Sequence, residues 1–126
     1  MTTAQRRQDG IVYEGKRGSL PGEIWVWFTA PRFRGIRVPL PLRLDLFNHS
    51  PLGYEWGYLG SGPSQLALAI LAHATKSDKK AMLLHHDFKE AFIAGISREV
   101  GSEWRITRQE VLAWVAKQEA AAEETP

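Results

Sequence analysis

The chain has 126 residues, 44% of them hydrophobic and 24% charged, with a formal net charge of +2 and no cysteine. That size suits one domain with a real core, and the lack of cysteine excludes disulfide scaffolds and thiolate–zinc sites. No run is long and apolar enough for a bilayer span or a secretory signal, so the expectation is a cytoplasmic protein without membrane contact.

Residues 1–9 read as a flexible polar terminus, 10–118 as a single α+β domain, and 119–126 as a frayed acidic tail. Ile11 to Lys16 predicts a first strand, followed by the turn "KRGSLPGE". "EIWVWF" (Glu23–Phe28) predicts a second strand, rich in β-branched and aromatic residues, with Ile24, Val26 and Phe28 on one face and Trp25 and Trp27 on the other. Weaker strands are predicted at Gly35–Val38 and Leu44–Phe47, with the prolines of "PLPL" at an edge or in a crossing loop because they donate no ladder hydrogen bond. "GYEWGY" (Gly53–Tyr58) predicts a last strand with Tyr54, Trp56 and Tyr58 on one face.

From Gly62 onward the period becomes helical. Pro63 suits a helix start, Gln65 can reach back to the turn, and "SQLALAILAHA" is apolar nearly all round, which marks a central helix. A second helix carries the stripe Phe88, Phe92 and Ile96; it starts at an Asp87/Glu90 capping box or earlier, near Asp78. The third has Thr107 as N-cap, Glu110 three residues on, and Val111, Trp114 and Val115 facing inward. The fold class is therefore α+β: four or five mainly antiparallel strands in the first half, with about three helices in the second half packed on one face.

The turn "GSGP" between the aromatic run and the central helix fits none of the specific glycine motifs. A phosphate-cradling loop needs a lysine after its last glycine, and none comes before Lys76. A dinucleotide fingerprint needs a third glycine where Gln65 stands, and a nucleophile elbow needs wider spacing around Ser61. What survives is a generic anion site at Gly60, Ser61 and Gly62 with His49 nearby, set against glycines that only permit tight packing.

The stretch "HSPLGYEWGYLGSGPSQLALAIL" (residues 49–71) resembles the signature block of a small, uncharacterised domain family of bacteria, archaea, phages and plasmids. "HHDFKEAFIAGI" and "WRITRQEVLAWV" are similar to its downstream part, so the likeness covers roughly residues 45–116. That resemblance implies a fold unit and a mobile-element setting, and no reaction.

Candidate chemistry is sparse. His86 and Glu90 stand four apart and could share a metal, but a third ligand from His49, His73 or Asp87 has no spacing to support it. His85, near the Phe88/Phe92 side, reads as a packed, hydrogen-bonded histidine. A Ser61–His49–acid triad with Asp45 or Glu55 rests on proximity alone, and Glu55 would serve as a general acid only if buried. No catalytic residue, metal or cofactor is therefore assigned.

Charge and aromaticity are more informative. Nine of the thirteen aromatic residues lie in the first 58, and four arginines (Arg32, Arg34, Arg37, Arg43) fall between 32 and 43 without an acid. Helices can cover only one sheet face, so Trp25/Trp27 or Ile24/Val26/Phe28 need a loop, a second copy or a partner. The first functional reading is a non-catalytic interaction protein of phage or mobile-element type that binds a host protein or complex through Trp25, Trp27, Arg32, Arg34, Arg37, Arg43, Tyr54 and Trp56, with inhibition of a host defence system as the role that setting suggests. The alternative is nucleic-acid binding, with the same aromatics stacking on bases. The third is a phosphate-ligand binder or hydrolase at the Gly60–Gly62 turn.

Overall fold

A computed structural model describes residues 10–124; the expected flexible segment 1–9 and the last two residues of the expected tail lie outside the described residues. The architecture is α+β. Strands β1 (Val12–Arg17), β2 (Ile24–Thr29), β3 (Val38–Pro39) and β4 (Glu103–Thr107) form one antiparallel sheet in the order β3-β2-β1-β4. Helices α1 (Ser61–Thr75), α2 (Asp78–Phe88) and α3 (Arg108–Glu124) complete the domain, with a π turn at Lys89–Ile93 and a 3₁₀ turn at Pro31–Phe33.

Register decides which side chains meet the helices. Tyr13 stands beside Phe28 and Ile106, and Gly15 beside Val26 and Trp104. Partners across an antiparallel pair share a face, so these residues line the inner side. There Tyr13 and Phe28 both meet His73 of α1, the first through its hydroxyl at 2.8 Å and the second ring to ring at 4.2 Å. Helix α1 is the centre of the molecule: Gly62 through Ala72 are all buried, so it offers solvent almost no polar face. The expected central helix is there, and its alanines at 67, 69, 72 and 74 all sit in the core.

Several expected elements take other forms. "GYEWGY" is not a strand, because Gly53 and Gly57 adopt positive φ angles (142° and 87°) that break an extended run. Leu44–Phe47 begins as a turn behind Arg43, itself left-handed at φ 57°, and the Gly35–Val38 strand shrinks to Val38–Pro39 at the sheet edge. The fourth strand comes instead from "EWRIT", after the second helix, where it pairs with β1.

Asp87 caps nothing. Helix α2 begins at Asp78, and the Ser77 side chain accepts from Lys80 N–H at 3.1 Å. The π turn that follows inserts one residue, so Ile93 is fully buried where straight periodicity would place Phe92. Thr107 and Glu110 do form the reciprocal capping box of α3, with Thr107 Oγ1 accepting from Glu110 N–H at 3.1 Å. That helix runs on through Glu124, across most of the segment expected to fray. Its alanine- and glutamate-rich composition favours helix, and Glu119 pairs with Lys80 at 2.9 Å.

Candidate functional site

The sheet face turned away from the helices carries Glu14, Lys16, Trp25, Trp27, Glu103 and Arg105, the alternate set of the same register. Trp25 is 48% exposed there. Trp27 is buried beneath the Arg37 guanidinium, which lies 4.2 Å from its ring centroid. The Trp27 indole N–H finds no acceptor among the described residues. β3 is only two residues long, and beyond Leu40, whose N–H donates to Val26 C=O at 3.3 Å, no described strand pairs with β2 at Ile24–Trp25 on that edge. A groove of about 590 Å³ runs along that edge, lined by Ile24, Trp25, Trp27, Arg37, Pro39 and Tyr54.

The remaining expected surface residues divide. Arg32 is exposed, its guanidinium 4.8 Å from the Phe33 ring centroid, and Arg34 is exposed with a left-handed backbone (φ 51°) closing the 3₁₀ turn. Arg43 is spent on Asp45 and Asp78, both at 3.0 Å, so it leaves the basic surface. Tyr54 donates its hydroxyl to Leu40 C=O at 2.8 Å, and burial pushes its phenol well above the ordinary range. Trp56 is a correction to the surface reading: it is fully buried, donates to Ser97 C=O at 3.1 Å, and meets Trp104 edge-on. With no strand at 53–58, nothing holds it on an outer face.

The glycine turn is explained by close packing. A β-carbon on Gly62 would fall 2.5 Å from Glu55 Cβ, and one on Gly60 would enter the Tyr58 ring. His49 does not turn toward that helix start. Its ring stacks on Phe47 and points to His85, and its backbone N–H donates to Gln65 Oε1 at 2.8 Å. Lys16, Leu40 and Leu42 join the groove without having been read as surface residues from the sequence, and Pro39 joins it from the expected sheet edge. The strand alternation that sets Lys16 opposite Trp25 was the signal for the first of them.

The chain belongs to DUF6166, a family of unknown function, whose match spans residues 13–117. The match takes in all four strands except Val12, the first residue of β1, and most of α3, well beyond the residues that carry the signature block. Neither the curated proteins nor the solved structures yield a match. Membership assigns no chemistry. No described helix is long and apolar enough to cross a membrane.

The ionisable groups behind the sheet favour structure over catalysis. Burial raises the pKa of Glu55, but hydrogen bonds from Arg17 and from Trp56 N–H, with the charges of Arg17 and Arg98, outweigh it and hold the carboxyl below its ordinary 4.5. It is an anion at neutral pH and not a general acid. Burial pushes His73 down from 6.5 to about 4, with smaller pushes from Lys76, Arg108 and Arg32. The unfolded chain therefore takes up the His73 proton first. Stability from this group is complete above 6.5 and falls as the pH drops from 6.5 to about 4, and loss from Glu55 follows below 4.5. Urea midpoints should be level near neutrality and decline through that window. NMR titration should leave the His73 ring neutral at pH 5.5; a His73 midpoint near 6.5 would contradict the burial.

Proposed function

We propose that this chain is a small non-catalytic interaction protein whose groove takes an acidic segment of a partner protein carrying apolar side chains. The observation that carries the reading is the β2 edge at Ile24–Trp25, where exposed Trp25 stands beside a groove whose lining contains Arg37, Lys16 (paired with Glu103 at 3.5 Å across the exposed sheet face) and no carboxylate. An aromatic anchor beside cations suits a segment that brings apolar and acidic groups together. The Trp27 N–H, lacking an acceptor among the described residues, favours the same kind of occupant. A base-stacking surface draws less support, because Trp56 is buried and Tyr54 is half-buried. The resemblance to a family of bacteria, archaea, phages and plasmids supplies the setting: the partner is a host protein or complex met in the cytoplasm, and blocking a host defence system is the role that a mobile-element setting favours.

The test starts with capture by the tagged full chain from a native-host lysate, with and without nuclease, and proceeds to titration of the purified partner. Trp25→Ala and Arg37→Glu should each weaken binding by at least about tenfold, whereas Leu83→Ser on the exposed face of α2 should leave it unchanged. Capture that vanishes with nuclease, or affinity indifferent to both groove variants, would overturn the reading.

A further inference from the structure

Where the loop before α1 meets the end of α2, the chain brings His49 against the adjacent pair His85 and His86, with 36 positions between His49 and His85. His49 comes from the loop before α1, and His85 and His86 from the end of α2. One ring nitrogen from each lies within 4.8 Å of the others, and His49 Nε2 is 3.0 Å from His85 Nε2. We propose that His49, His85 and His86 form a metal site that takes one Zn²⁺ through three imidazole nitrogens.

The hydrogen bonds around His85 prepare it for that role. Its Nδ1 lies 3.0 Å from Ala81 C=O and 3.1 Å from Met82 C=O, and carbonyls only accept. The proton therefore sits on Nδ1, and the neutral ring presents a bare Nε2 to the cluster. A backbone carbonyl fixing the far nitrogen of a ligating histidine is the usual outer support of a metal site. His49 is held just as firmly, by Gln65 at its backbone N–H and by the Phe47 ring at 4.2 Å.

The spacing suits a tetrahedral ion. Zinc–nitrogen bonds of about 2.0–2.1 Å place ligand nitrogens about 3.3 Å apart, and the His49–His85 pair is already close to that at 3.0 Å. In the metal-free chain His49 Nε2–H donates to His85; on binding, His49 moves its proton to Nδ1, and none is lost. His86 is exposed and closes the remaining gap by turning its side chain. Three neutral imidazoles leave the ion its full charge and a fourth position for water or an anion.

Zinc chloride titrated into chelator-stripped full chain, followed by calorimetry, tests the site. One Zn²⁺ per chain is expected, with a rise in thermal midpoint. Affinity should fall at least about tenfold in His49→Gln and in His86→Gln; the second removes an exposed ring and leaves the core alone. Glu90→Gln separates this site from a pairing of His86 with Glu90 along the helix and should bind as the wild type does. No zinc uptake by the wild type, uptake indifferent to both histidine variants, or a loss in Glu90→Gln equal to that in His86→Gln would each overturn the proposal.

Discussion

Replacing Gln65 by leucine is expected to destabilise the protein by about 3 kcal/mol or more. The side chain is fully buried, and each end of its amide is used twice. Oε1 accepts from His49 N–H at 2.8 Å and Ser50 N–H at 3.1 Å, while Nε2 donates to Leu42 C=O at 2.6 Å and Phe47 C=O at 3.1 Å. Leucine keeps most of the volume, so the cavity contribution is small and the loss measures the hydrogen bonds. Four backbone groups lose their partner at once, and each unsatisfied group that stays dry costs roughly 1–3 kcal/mol. Water reaching part of the loop keeps the total well below that sum. Chemical denaturation gives the number: a midpoint within experimental error of wild type would mean that residues 42–50 are held by something else. Because Gln65 also holds the His49 backbone, the same variant should weaken zinc uptake.

Gln65 also shows what sequence could and could not deliver. Its place near a helix start suggested a reach back to the turn, and the reach is real, but it goes to residues 42–50 and not to the glycines beside it. Local signals of this kind were readable throughout: the alternation of β2, the all-apolar α1, the Thr107–Glu110 box, and the proline at the sheet edge. Each depends on neighbours within a few positions. Failures came where distant contacts overrode the local pattern. Tyr54, Trp56 and Tyr58 alternate as a strand would, but the positive φ of Gly57 and the burial of Trp56 against Trp104 make the segment a packed loop. The three-histidine cluster was legible only in part: His86 and His49 were weighed as ligands without spacing to join them and His85 was read as packed, because His49 and His85 stand 36 positions apart and only the packing of loop and helix on α1 joins them. The groove fell between these cases. Its tryptophans and Arg37 were visible, whereas its existence depends on β3 stopping after two residues.

The second large effect is expected at Gly15. Valine is among the best strand formers, and in the middle of β1 it would ordinarily help. Here Gly15→Val should cost about 3 kcal/mol, since Trp104 lies across the strand at that point. A β-carbon on residue 15 would fall within the Trp104 indole, 2.6 Å from Cζ2. The indole has little room to retreat, because its other side meets Trp56 edge-on with centroids 5.7 Å apart, and Trp56 in turn lies beneath the Arg17 guanidinium at 5.0 Å. Glycine is thus what lets β4 sit on β1 with a tryptophan on the inner face. The double variant Gly15→Val/Trp104→Leu should recover part of the loss, with a coupling of about 1 kcal/mol or more between the two positions. If Gly15→Val proved neutral, or the two losses simply added, Trp104 would not be what excludes a side chain at residue 15, and the pairing of β4 with β1 would need another explanation.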